Sequence, residues 1–147
     1  MPFSTVFNVS SSCAEHNCKI NKKNIKTIYK PDYGFINKSI ETILFPTGKY
    51  KICDCIIVCD NNDLIIVEIL CGKLTSTELK EKKEQLENCC KVTQHLSVFN
   101  KVKKIVLLYK KLESPRKQPM LKKALISSRV CSMPLITSTN KPFHVEC

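Results

Sequence analysis

A chain of 147 residues with 43% apolar side chains is long enough to bury one sizeable core and is expected to form a single domain. No apolar run approaches the ~20 residues of a membrane-spanning helix, and the start, Met1-Pro2-Phe3-Ser4, lacks the basic opening and apolar core of a secretion signal, so an intracellular protein (cytoplasmic or nuclear) without a membrane partner is expected. The 24 Lys+Arg against 13 Asp+Glu, a net charge of +11, favour a polyanion such as nucleic acid as partner, bound through counterion release.

Along the chain, residues 3–9 suit a strand. Residues 13–30 are polar and lysine-rich, with only Ile20, Ile25, Ile28 and Tyr29 as an apolar face, so 1–34 is set apart as a poorly defined N-terminal extension and the core is expected over about 35–138. Pro31-Asp32-Tyr33-Gly34 is a turn signal. Phe35, Ile36, Ile40, Ile43 and Leu44 fit a helical stripe, and Thr42-Ile43-Leu44-Phe45 ahead of Pro46 fits a short strand after it. Residues 50–59 and 64–71 are predicted strands whose nearly continuous apolar content implies a sheet covered on both faces, joined by Asp60-Asn61-Asn62-Asp63 as a hairpin loop.

Gly72 is expected to end the second strand. Thr75 and Glu78 form a capping box for a helix running to about His95, with Leu79, Leu86, Cys90 and Leu96 as its buried stripe. A buried strand over 102–109, a loop over 115–119, a short helix over 120–126 and a last strand over 135–137 complete the order. The succession predicts an α/β domain with a mixed central sheet flanked by helices.

Ten cysteines without a CxxC pair exclude a zinc ribbon or a dithiol redox motif. Cys13, His16 and Cys18, with Cys147 or His144 as a distant fourth, offer a metal-stapled interaction protein as one reading. Cys53, Cys55 and Cys59 alternate on one face of a predicted strand, where cysteine serves as a small hydrophobe. Disulfides remain open.

Two carboxylates stand inside the most apolar stretch: Asp54 in the first central strand and Glu68 in the second. A buried carboxylate without a partner is costly, and a shared divalent metal ion would supply one. A two-residue hairpin around Asn61-Asn62 would set Asp54 opposite Ile69 and put the acids on different faces. A three-residue loop or one bulge sets Asp54 across from Glu68.

An acid on one strand, a second on the next, then a helix and another strand resembles the PD-(D/E)XK, or restriction-endonuclease-like, nucleases over about residues 40–109. The resemblance implies a restriction-endonuclease-like core that binds Mg²⁺ or Mn²⁺ through Asp54 and Glu68 and hydrolyses phosphodiester bonds of DNA or RNA, with Glu41 as an additional acid and Gln85 as a supporting helical residue. Many members are dimers, so a homodimer is a further expectation. The motif's lysine falls at Leu70. Lys73, just past Gly72, or Lys80 or Lys83 from the helix, could replace it; otherwise the domain is a degenerate module that only binds nucleic acid or a protein partner.

Overall fold

The computed structural model describes residues 18–20, 25–29, 38–48, 50–96, 98–113, 116, 118–138, 143–145 and 147. Cys13 and His16, the strand expected over 3–9 and the turn at 31–34 lie outside these residues; for Cys18 and His144 the backbone alone is described.

The elements run β1 (Cys18–Ile20), β2 (Ile25–Tyr29), α1 (Lys38–Leu44), β3 (Cys55–Cys59), β4 (Leu64–Leu74), α2 (Ser76–His95), β5 (Val102–Leu112), α3 (Gln118–Ser127), β6 (Arg129–Val130), β7 (Met133–Pro134), β8 (Ile136–Ser138) and β9 (Phe143–Val145). A five-stranded mixed sheet has the order β2-β3-β4-β5-β8: β2, β3 and β4 are antiparallel neighbours, while β4, β5 and β8 run parallel. Strand β2 comes from the segment set apart as an extension, yet it pairs with β3 from Ile25↔Cys59 to Tyr29↔Ile56.

β3, the first half of β4 (Leu64–Val67) and the middle of β5 (Ile105–Tyr109) are continuously apolar because both faces of the sheet are buried there. On one face Ile56, Val58, Leu64, Ile66, Ile105 and Leu107 pack with Leu79, Leu86, Cys89 and Cys90 of α2 and Leu121 and Leu125 of α3. On the other, Cys55, Ile57, Ile65, Val67, Val106 and Leu108 form a second cluster. Each fully buried aliphatic side chain contributes about 1.5–3 kcal/mol.

α2 begins where its capping residues put it: Thr75 is the N-cap, and its hydroxyl accepts the Glu78 N–H at 3.0 Å. Leu79, Leu86 and Cys90 are buried as expected, and Leu96 is half-buried past the helix end. Three expectations differ. No strand precedes Pro46, because α1 ends at Leu44 and a turn follows with Gly48 N–H donating to Phe45 O. β4 passes through Gly72 to Leu74, shifting its register against β5 between Leu70 and Lys73. β3 starts only at Cys55, since the chain bends at Asp54. That bend separates the three cysteines: Cys55 and Cys59 belong to the second cluster, while Cys53 turns into the helix-facing one.

Cysteine is more than a small hydrophobe here. Disulfides join Cys53 to Cys89, Cys59 to Cys147 and Cys90 to Cys131.

Candidate active site

The β3–β4 hairpin turns through Asp60, Asn61 and Asn62. Asn62 N–H donates to Cys59 O at 2.9 Å, Cys59 N–H donates to Asp63 O at 2.9 Å, and Asn62 takes the left-handed conformation with φ 67°. Asparagine tolerates that conformation better than other non-glycine residues, and a turn of this kind with one left-handed residue makes a three-residue hairpin loop. The ladder that follows, Val58↔Leu64 through Cys55↔Val67, brings Asp54 across from Glu68 on the α2 side of the sheet.

There the strands part, and the two side chains fill the gap. Asp54 N–H donates to Glu68 Oε1 at 2.9 Å, and Ile69 N–H donates to Asp54 Oδ2 at 2.7 Å. Glu68 is 1% exposed; Asp54 is half-buried. Burial pushes the Glu68 carboxyl up to about 8, aided by the neighbouring Asp54 charge and a hydrogen bond to that carboxyl, against the opposing pull of Lys82. The Lys82 ammonium lies 3.2 Å from Glu68 Oε2 and favours ionised Glu68, but desolvation and Asp54 together outweigh it.

The lysine at the pair is therefore one that the sequence reading did not name. Lys73 is exposed on β4 beyond the acids. Lys80 and Lys83 line a cavity of about 430 Å³ between α2 and α3, on the opposite flank of the helix. Lys82, three residues after Leu79 and four before Leu86, occupies the sheet-facing stripe. Its ammonium also donates to Gln85 Oε1 at 3.2 Å, and Gln85 Nε2 donates to Ile52 O at 3.2 Å. Gln85 thus joins the network through Lys82, and Leu70 stands half-buried at the position the motif gives to lysine.

No protein family, curated protein or solved structure matches this chain.

What the arrangement can do follows from its charges. Two adjoining carboxylates and one ammonium leave one negative charge at a site that is largely shielded from water. A proton on Glu68 can neutralise it, and so can a cation. The free valences are carboxylate oxygens, the hard donors that suit Mg²⁺ or Mn²⁺. Glu41, on α1, is not part of the group: among the described residues no third Asp, Glu, His or Cys joins the two acids. Beside the site, a cavity of about 480 Å³ is lined by Tyr50, Lys51, Glu81, Glu84, Gln85 and Asn88, so an open surface borders the network at Gln85. Among the described residues no helix is long and apolar enough to cross a membrane.

Proposed function

We propose that the chain is a divalent-metal-dependent nuclease of the restriction-endonuclease-like kind, with Asp54 and Glu68 as metal ligands and Lys82 as the catalytic lysine transferred from β4 to α2. The observation that carries this reading is the convergence of two carboxylates and one ammonium on a single face, one positive charge short of neutrality. A Mg²⁺ or Mn²⁺ held by the two carboxylates supplies Lewis-acid polarisation of a phosphodiester and activation of water. Asp54 is the accessible ligand and Glu68 the buried one. Lys82 holds a proton-rich group against Glu68, where it can orient a nucleophile or offset charge building on a phosphate. Gln85 fixes the Lys82 ammonium, and the net charge of +11 draws a polyanionic substrate to the molecule.

The test is cleavage of labelled DNA and RNA in Mn²⁺ by the purified protein. Asp54→Ala and Lys82→Ala should each abolish cutting while circular dichroism stays unchanged. Cutting that survives both Asp54→Ala and Glu68→Gln would refute the assignment.

One observation favours a second reading. Each carboxylate accepts a backbone N–H from the strand opposite, at 2.9 and 2.7 Å, as a plug for the parting ladder would. A nucleic-acid-binding module with that plug would bind in a salt-sensitive manner, without metal dependence and without cleavage.

A further inference from the structure

We infer that the Cys53–Cys89 disulfide is a positioning device for Asp54, so that the acid pair assembles only in the oxidised chain. Resting on the metal-site reading above, it names the covalent condition under which that site exists. The three residues ahead of Asp54 belong to no strand, because β3 begins at Cys55. One face of α2 holds them instead. Asn88 Nδ2 donates to Lys51 O at 2.8 Å, Gln85 Nε2 donates to Ile52 O at 3.2 Å, and Cys89 is bonded to Cys53, whose N–H lies 3.0 Å from Cys89 Sγ.

Residues 85, 88 and 89 of one helix therefore grip residues 52, 51 and 53. Hydrogen bonds of this kind open and close. The covalent tether does not, and it falls on the residue next to Asp54. Asp54 in turn meets Ile69 N–H at 2.7 Å and presents its own N–H to Glu68 at 2.9 Å, contacts that a shift of an ångström at Cys53 would break.

Forming the tether takes one proton from each thiol and passes two electrons to a small disulfide such as glutathione disulfide, which leaves as two thiols. Cys53 and Cys89 are 2% and 1% exposed, so the bond is shielded once the chain is folded and acts as a fixed brace. A control is built into the helix. Cys90, the next residue, is bonded to Cys131 on the other flank, where Glu87 Oε1 also accepts Cys131 N–H at 2.7 Å.

The experiment compares Cys53→Ala/Cys89→Ala with Cys90→Ala/Cys131→Ala, full chain, by Mn²⁺ titration calorimetry and by the carboxyl titration of Glu68 in NMR. Loss of the first pair is expected to weaken Mn²⁺ binding about tenfold or more and to return Glu68 towards the usual carboxylate range, as removing a ligand-orienting partner does. Loss of the second pair should lower thermal stability and leave both readouts within twofold of wild type. A Cys53→Ala/Cys89→Ala protein with wild-type Mn²⁺ affinity and an unmoved Glu68 titration overturns the inference. Should wild type itself bind no Mn²⁺, the metal-site reading fails, and the Glu68 titration alone decides whether the brace positions Asp54. If the alanine pair does not fold, Cys53→Val/Cys89→Val, which removes the bond while refilling its space, takes its place, and unchanged readouts there overturn the inference equally.

Discussion

At the scale of the residue, Glu68 is the one charged side chain among the largest fully buried ones of the described residues. Its carboxyl stands at about 8 in the folded chain against an ordinary value of 4.5. Below the ordinary value it is protonated in both states and has no effect on stability. Between the two values the unfolded chain releases a proton that the folded chain retains, so stability falls as pH rises, and above the folded value the loss is complete. The metal-free protein is therefore expected to lose urea resistance from about pH 5 to about pH 8.5, and Glu68→Gln should flatten that slope. A flat wild-type profile would contradict the assignment.

Lys82 separates the candidates on α2. Lys82→Ala is expected to lower cleavage about 100-fold or more, while Lys80→Ala and Lys83→Ala stay within about threefold, since both line the α2–α3 cavity. Asp54 and Glu68 were legible because carboxylates are out of place in an apolar run. Lys82 was equally within reach: laid on the Leu79 and Leu86 stripe, it is the lysine that faces the sheet. Choosing lysines by their distance from the motif hides that, because a helix turns each successive residue by about 100°.

At the scale of the element, the hairpin register decides which face Asp54 occupies. Deleting Asn62 would leave the two-residue loop Asp60-Asn61 between the same partners, Cys59 and Asp63, and keep Asp54 across from Glu68, whereas one residue inserted into β3 between Cys55 and Val58 would slip the register by one and set Asp54 opposite Ile69. That insertion is expected to abolish Mn²⁺ binding, whereas the Asn62 deletion and Asn62→Gly should preserve it. Asn62→Val, which forces a branched side chain to φ 67°, should cost about 1–2 kcal/mol in urea unfolding. Stability equal to wild type would mean that the loop relaxes to another turn. The sequence limited this loop to two alternatives, and only the backbone hydrogen bonds at Cys59 choose between them. α2 was legible at both ends through its capping box and periodic stripe. The early end of β3 was not, because residues 50–54 have strand-like composition. What ends the strand is a tertiary effect, the pull of α2 on residues 51–53.

At the scale of the molecule, covalent bonds tie distant parts of the chain to the sheet. Cys59–Cys147 closes a separation of 88 residues, and the Lys103 ammonium also donates to the Cys147 carbonyl. Replacing this pair by alanine should cost about 2–5 kcal/mol of unfolding free energy. A loss below about 0.5 kcal/mol would show that packing alone holds Cys147 in place. The α/β class and the mixed sheet could be read from the order of apolar runs. The entry of β2 into that sheet could not, since five residues with a lysine among them carry little periodic signal. Disulfide pairing was beyond reach for a related reason: the partners lie 36, 41 and 88 residues apart, and spacing along the chain holds no record of such neighbours.

The missing unit of positive charge at the acid pair has a stoichiometric consequence. On the metal-site reading proposed above, the site below about pH 8 holds its deficit as a proton on Glu68, and each Mn²⁺ or Mg²⁺ that entered would displace that proton into solution. Uptake would then be an exchange reaction. Apparent affinity should climb about tenfold per pH unit on the acid side and level off above about pH 8. The heat of binding measured near pH 7 should change with the ionisation enthalpy of the buffer, in proportion to about one proton released per ion bound. Heat independent of the buffer would mean that the ion enters without displacing the proton.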